Sequence, residues 1–122
     1  MLPEDMLLHF AASSIRSVWA LELLLLMKKN PQMWNVGELV TQLRGSDAAI
    51  SEAMQRLQDA GLVIQAEGGF RYAPSSTENE TLANDLEALY RLKPVAVVSA
   101  IAKAPNIKLQ ILSDAFKLKK KD

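Results

Sequence analysis

Apolar residues in this chain recur mostly at helical spacing, and one stretch combines a helix with two short strands. Between Ser46 and Gly61 the apolar positions lie three and four residues apart, which predicts a helix with one buried face. That face comprises Ile50, Ala53, Met54, Leu57 and Ala60. Directly after Gly61, segments 62–65 and 70–72 flank a glycine-containing turn. They predict a β-hairpin.

Two helices are predicted near the start of the chain. The first spans about residues 2–12. The second runs to about Lys29, and we expect Ser13 or Ser14 to cap it, because serine hydroxyls accept from the free amides of a first turn. Apolar side chains cover most of the second helix, so it should be buried on more than one side.

A shorter helix is predicted at about residues 36–43. Asn35 and Glu38 before and within it have the spacing of a capping box. Gly45 then allows a left-handed turn, after which Ser46 caps the next helix. Two helices joined by a tight glycine-containing turn predict a helix-turn-helix.

Residues 76–122 are predicted to form a helical extension of the domain that spans residues 1–75. Its helices are expected at 78–92, where Thr77 and Glu80 suggest a capping box, at 94–104 and at 106–117. Their apolar faces exceed what a domain of about 75 residues covers fully. They therefore either pack on the second helix or form a two-fold interface, and we predict a homodimer.

The composition excludes several kinds of chemistry. The chain has no cysteine and a single histidine, His9, so disulfides, thiol catalysis and the usual metal sites have no residues to build on. The polar residues also lack the spacing of a catalytic triad or a phosphate-binding loop. We expect no enzymatic activity, no metal and no cofactor.

The charge is balanced, which is unusual for a nucleic-acid-binding domain. The formal net charge is zero, and residues 1–75 hold six basic and eight acidic side chains. DNA-binding domains usually carry a basic excess because phosphate contacts dominate affinity.

The apolar run 21–27 contains Glu22 and is too short to cross a bilayer, so we expect a cytoplasmic protein without membrane contacts.

Residues 13–74 resemble the winged helix-turn-helix superfamily of bacterial regulators, including its MarR-like group. The resemblance is carried by Val36-Gly37-Glu38-Leu39, by the turn at Gly45-Ser46, and by residues 49–50 and 57–63. The whole chain is also similar to small proteobacterial winged-helix proteins, through residues 16–22, 93–98 and 114–116. The fold class that follows is mainly α with a small β-hairpin wing, which is α+β.

This resemblance implies a recognition helix at 47–60 in the DNA major groove and a wing at 65–71 near phosphates. The implied DNA contacts are Arg44, Ser46, Ala48, Ser51, Glu52, Gln55, Arg56 and Arg71. A basic tail, with Lys117, Lys119, Lys120 and Lys121, could supply further phosphate contacts. The resemblance thus predicts a homodimeric transcriptional regulator that binds double-stranded DNA.

A second hypothesis uses the same scaffold to bind a protein. The third-helix face is neutral to acidic, with Asp47 and Glu52 among its outward positions, and segment 21–27 has an apolar surplus. Both features suit a protein–protein interaction module without specific DNA binding. The sequence leaves the two hypotheses open.

Overall fold

The computed structural model describes residues 1–103. The predicted helix 106–117 and the candidate contacts Lys117, Lys119, Lys120 and Lys121 lie outside the described residues. Within residues 1–103 the chain is mainly helical with a small antiparallel sheet, as expected for the α+β class. The helices are α1 (Glu4–Phe10), α2 (Val18–Lys29), α3 (Val36–Leu43), α4 (Asp47–Asp59), α5 (Thr77–Leu92) and α6 (Pro94–Lys103), and the strands are β1 (Val63–Ala66) and β2 (Gly69–Tyr72).

The predicted cap of α2 at Ser13 or Ser14 is wrong. A π-helical turn, Ala11–Ile15, continues α1 through both serines. The hydroxyl of Ser13 donates to the carbonyl oxygen of His9 at 2.7 Å, so it bonds back along its own helix. A serine inside a helix commonly makes this bond to the preceding turn. Neither serine can cap α2, because both lie within the helical turn and an N-cap residue has a non-helical backbone.

The break between α1 and α2 comes at Arg16. Its φ of 71° is left-handed, which ends the helical path and turns the chain after the π-helical turn. Ser17 follows in an extended conformation, and its Oγ accepts from the amide of Ala20 at 3.0 Å. Ser17 is therefore the N-cap of α2, and the axes on either side of the break differ by 102°.

The predicted caps of α3 and α4 are confirmed. Asn35 and Glu38 form a complete capping box, in which each side chain accepts from the other residue's amide, at 2.8 and 3.1 Å. The Ser46 Oγ accepts from the amide of Ala49 at 3.1 Å. These bonds satisfy amides that have no partner inside their helices, and they fix where α3 and α4 begin.

The left-handed residue of the α3–α4 turn is Arg44, with φ of 55°, and not Gly45 as predicted. Gly45 has a different role in the turn. A Cβ at Gly45 would lie 3.3 Å from Cδ1 of Ile50 and 3.4 Å from the ring of Trp19. Gly45 therefore lets the turn pack closely on these two side chains. The left-handed conformation that turns the chain is adopted by Arg44, the residue before it.

α4 ends at a left-handed glycine, as predicted. Gly61 has φ of 75°. Its amide donates to the carbonyl of Gln58, and the amide of Leu62 donates to the carbonyl of Leu57, each at 3.0 Å. This pair of bonds is a Schellman motif, which satisfies the last carbonyls of the helix and directs the chain into β1.

The hairpin is confirmed with a register that ends at the pair Ala66–Gly69, so Glu67 and Gly68 form its turn. Trp34 extends this small sheet. Its amide donates to the carbonyl of Phe70 at 2.7 Å, and the Phe70 amide donates back at 2.8 Å. The extended segment before α3 is thereby attached to the hairpin that follows α4.

α5 begins one residue earlier than the predicted capping box implies. Ser76, and not Thr77, is the N-cap, and its Oγ accepts from the amide of Asn79 at 3.1 Å. Ser76 is extended, whereas Thr77 already belongs to the helix, and its carbonyl oxygen accepts from the hydroxyl of Thr81 at 3.0 Å. The element itself is where the pattern predicted it.

α5 and α6 share one hydrophobic core with the rest of the described chain. They pack on α1 and on the π-helical turn, and Leu86, Val97 and Ile101 belong to the same buried cluster as Leu24 and Leu57. Polar contacts add to this packing. Nζ of Lys28 lies 2.7 Å from Oε1 of Glu87, so the pair joins α2 to α5.

Within residues 1–103, no single helix is both long and apolar enough to cross a membrane. The joined pair of segments Glu4–Ile15 and Val18–Lys29 has sufficient length and apolar content only across its 102° bend.

Candidate nucleic-acid interface

α4 has one buried and one exposed face. Ile50, Ala53, Met54 and Leu57 are buried, as predicted. The outward row is exposed along the helix and contains Asp47, Ala48, Ser51, Glu52 and Gln55. From the first to the last of these positions the row extends about 12 Å along the axis, at 1.5 Å per residue. It is a narrow polar surface that a groove or a partner surface can accept.

Arg56 lies on the flank of this row and is held within the helix. Its Nη2 is 2.8 Å from Oε1 of Glu52, one turn earlier, and its side chain is 27% exposed. The basic group nearest to the centre of α4 is therefore neutralised by the acidic one beside it. Its remaining guanidinium donors are still available to a ligand.

Gln55 is bonded in the same manner. Its Nε2 donates to Oδ1 of Asp59 at 2.9 Å. The amide side chain predicted to recognise a base is thus turned toward the carboxyl end of α4 in the free protein. An exposed bond of this kind is weak, so a ligand with better acceptors would replace it at small cost.

Arg44 and Ser46 lie at the amino end of α4. Arg44 is exposed and left-handed, directly before Gly45. Ser46 uses one lone pair of its hydroxyl oxygen as the cap acceptor, and its O–H remains free to donate to a ligand. Arg44 precedes α4, whereas Arg56 lies nine residues after Asp47, about 14 Å along the axis, so the two arginines lie toward opposite ends of the helix.

The hairpin carries one basic and one acidic side chain. Arg71 is exposed on β2 and is paired in register with Ile64 of β1, so both point to the same side of the sheet. Ile64 is 38% exposed. Glu67 lies in the hairpin turn. The hairpin therefore offers a single arginine beside an apolar side chain, and its tip is acidic.

The structure adds two exposed residues that the sequence interpretation did not include in the site. Arg16 lies before α2, and Trp19 is 41% exposed, with its ring against the turn at Gly45. By contrast, Trp34 is buried, and its Nε1 donates to the carbonyl of Asn30 at 3.0 Å. The sequence signal for Arg16 is Ser17, a residue type that commonly caps helices and that directly precedes the apolar residues of α2. A cap at Ser17 places Arg16 in the connection before the helix.

Two tyrosines behind the hairpin and α5 have perturbed acidity. Burial, assisted by the charges of Glu80 and Glu87, raises the pKa of Tyr72 to about 12. The hydroxyl of Tyr90 donates to Oε1 of Glu22 at 2.9 Å, and this bond raises its pKa. Both tyrosines are therefore neutral at physiological pH, and neither is prepared for general base catalysis.

Groups that could bind metal do not converge in the described part of the chain. Among residues 1–103, no three His, Asp or Glu side chains are close enough to hold an ion. His9 is exposed on α1, and its carbonyl oxygen accepts from the hydroxyl of Ser13.

The site was also compared with known proteins. No protein-family model matches the chain, and no curated protein or solved structure shows significant similarity to it.

Proposed function

We propose that this protein is a DNA-binding transcriptional regulator with a winged helix-turn-helix fold. In this proposal α3 and α4 are the helix-turn-helix, α4 occupies the recognition position, and β1 and β2 form the wing. The supporting observation is the division of α4 into a fully buried face and a continuous exposed row, directly before a short hairpin. The row is about as long as the major groove is wide, roughly 12 Å.

The proposed contacts follow from the chemistry of each side chain. Gln55 can form a bidentate pair with adenine after releasing Asp59, and Ser51 can bond to several bases. Glu52 can accept from a cytosine amino group. Arg44, Arg56 and Arg71 are proposed to contact phosphates, Ser46 and Ala48 to lie against the DNA at the start of the helix, and the lysine tail to add further phosphate contacts.

We also propose that the protein acts as a homodimer in the cytoplasm and has no catalytic activity. A dimer doubles the number of phosphate contacts, which compensates for the low charge of one protomer. The observation that favours it is an exposed apolar row across the junction of α5 and α6. Leu92 and Val95 are 73% and 77% exposed, and Val98 continues the row one turn later. Apolar side chains repeated at this spacing suit a helix–helix contact between subunits.

A protein–protein interaction module is the second candidate. It is favoured by the bonds Arg56–Glu52 and Gln55–Asp59, which already satisfy the polar groups nearest the middle of α4. A protein partner would bind the outward row and leave both bonds intact. DNA would have to replace at least one of them.

Selection from a random duplex library at low salt, followed by an electrophoretic shift assay with the full chain, tests the main proposal. We expect enrichment of a two-fold symmetric site whose affinity falls steeply with salt. Absence of enrichment, together with stoichiometric recovery of one protein partner free of nucleic acid, would favour the interaction module.

A further inference from the structure

A polar cleft lies on the flank of α4, outside the outward row. It has a volume of about 170 Å³ and is lined by Ser13, Ser14, Arg16, Arg56, Asp59 and Ala60. At about 30 Å³ for each water, it has room for about five water molecules or for a small hydrated anion. The cleft joins the π-helical turn to the carboxyl end of α4, so residues far apart in sequence converge there.

The backbone around the cleft is unusual in two ways. The turn Ala11–Ile15 is π-helical, a rare conformation that often marks functional sites. Arg16 is left-handed, which is unfavourable for a residue with a Cβ and would suit glycine or asparagine better. A long cationic side chain at such a position costs stability, and this suggests that its charge has a use.

The charges of the cleft can be counted from its contacts. Arg16 has no ion pair or side-chain hydrogen bond with another residue of the described chain. Arg56 uses one nitrogen for Glu52 and keeps its other donors. Asp59 opposes an anion, but its carboxylate already accepts from Gln55. The hydroxyl of Ser14 is a further donor on the same wall.

We propose that this cleft binds a phosphate group, held by the guanidinium groups of Arg16 and Arg56 and by the hydroxyl of Ser14. Two forked cations and a hydroxyl provide several donors for a tetrahedral oxyanion, which has more acceptor oxygens than a carboxylate. In the DNA complex the group is a backbone phosphate beside the groove that α4 enters. This second part rests on the proposed function, whereas phosphate binding by the cleft does not.

The position of the cleft along α4 supports a backbone contact. Ser13, Ser14 and Arg16 lie beside the carboxyl end of α4, and the ring of Trp19 reaches Gly45 before its amino end. The segment 13–19 therefore runs along one flank of α4. A strand of phosphates that borders the groove would pass this flank.

Arg16→Gly is the decisive variant, because glycine takes a φ of 71° freely and the fold should be retained. Lys29→Ala, which removes an exposed charge from the far end of α2, is the matched control. The full chain is titrated with sodium phosphate at pH 7 while its amide NMR spectrum is recorded, and sodium chloride of equal ionic strength serves as the reference. We expect saturable shifts at residues 13–17 and 56–60 in the wild type and in the control. In the glycine variant these shifts should be lost, or the affinity for phosphate should fall at least about fivefold. Equal shifts with chloride, or an unchanged response of the variant, would overturn the cleft as a phosphate site.

A second measurement separates the source of the phosphate. Binding to the selected duplex is followed by fluorescence anisotropy between 20 and 200 mM salt, an order-of-magnitude range that resolves the slope. The glycine variant should bind about five- to tenfold more weakly at low salt, with a salt slope smaller by about 0.9, as for one lost phosphate contact. If the wild type binds DNA and the variant binds equally well, the DNA part of the proposal is wrong. If the wild type binds no duplex, the proposed function fails, and the phosphate titration alone decides the cleft.

Discussion

Arg56 and Glu52 neutralise each other on the flank of α4, with Nη2 of the arginine 2.8 Å from Oε1 of the glutamate. The pair is separated by four residues, and the glutamate side chain is 68% exposed. Such a pair adds only about 0.2–0.5 kcal/mol to helix stability. Its larger effect is electrostatic, since it neutralises the one basic side chain of α4, which lies in the last turn beside the outward row.

Replacing this glutamate with its amide should therefore strengthen DNA binding. In Glu52→Gln the carboxylate is removed and the guanidinium of Arg56 is released toward phosphate. We expect affinity for duplex DNA to increase about three- to tenfold at low salt, with the free energy of unfolding lower by no more than about 0.5 kcal/mol. Fluorescence anisotropy and urea unfolding measure the two quantities.

The control for this variant is Glu78→Gln, which removes an equal charge from the exposed first turn of α5. It changes the net charge of the protein without altering the surface of α4. Equal gains in both variants would mean that only net charge matters. A loss of affinity in Glu52→Gln would indicate that the proposed bond of the carboxylate to a cytosine amino group outweighs its neutralisation of Arg56.

Two tyrosines provide a test of the packing behind the hairpin. The hydroxyl of Tyr72 is buried and has no hydrogen-bond partner within residues 1–103, whereas that of Tyr90 donates to Glu22. Tyr72→Phe should leave stability unchanged or raise it by up to about 1 kcal/mol, because it removes an unsatisfied polar group. Tyr90→Phe should lower it by about 1 kcal/mol. Equal losses in the two variants would contradict this description.

Stability should also fall in alkaline solution because of Tyr72. Its pKa is raised from 10.0 to about 12 in the folded protein, so the unfolded chain loses this proton first as the pH increases. The resulting loss of stability begins near pH 10 and is complete near pH 12. We expect it to be about 1–2 kcal/mol after allowance for solvent screening. Urea unfolding across this pH range should show a smaller decline in Tyr72→Phe than in the wild type, and an identical decline would exclude this tyrosine as the cause.

The attachment of Trp34 to the hairpin depends on Gly69. This glycine has φ of 138°, and a Cβ there would overlap the carbonyl oxygen of Trp34. Gly69→Ala should cost roughly 2–4 kcal/mol, since neither backbone can move without breaking the bridge. Gly68→Ala is the matched control, because its φ of 96° is also strained but a Cβ there meets nothing within 4 Å. Gly68→Ala should lower the free energy of unfolding by about 1 kcal/mol. Similar thermal unfolding midpoints for Gly68→Ala and Gly69→Ala would show that the overlap with the Trp34 carbonyl is relieved by a backbone shift.

Sequence patterns predicted most elements of this fold because apolar residues that become buried recur three or four residues apart along each helix. The buried face of α4, the capping box at Asn35 and the stop at Gly61 each follow from local chemistry. The π-helical turn and the left-handed Arg16 could not be predicted in the same way. They arise because α1 must pack on α5 and α6, and neighbouring serines at 13, 14 and 17 offer several caps of similar local energy.

The candidate site was only partly predictable for a related reason. The outward positions of α4 followed directly from its buried ones. The partners of its polar side chains did not, because Glu52 and Asp59 are each within reach of more than one donor. Arg16 and Arg56 line the same cleft only through tertiary packing, and nothing in their separation of forty residues indicates that proximity.

The proposed dimer makes the last prediction. Leu92 and Val95 are the most exposed large apolar side chains of α5 and α6, and they lie three residues apart across the junction of the two helices. A glutamate at either position would place a charge in an apolar interface, so Leu92→Glu and Val95→Glu should increase the dissociation constant of the dimer at least about tenfold. Light scattering at micromolar concentration measures the mass. Met33→Glu, at an exposed apolar residue in the loop before α3, is the control and should remain dimeric.

Because a dimer engages two half-sites at once, both interface variants should also lose at least about tenfold in DNA affinity. A wild-type protein that is monomeric at this concentration would contradict the dimer and remove this route to tight DNA binding.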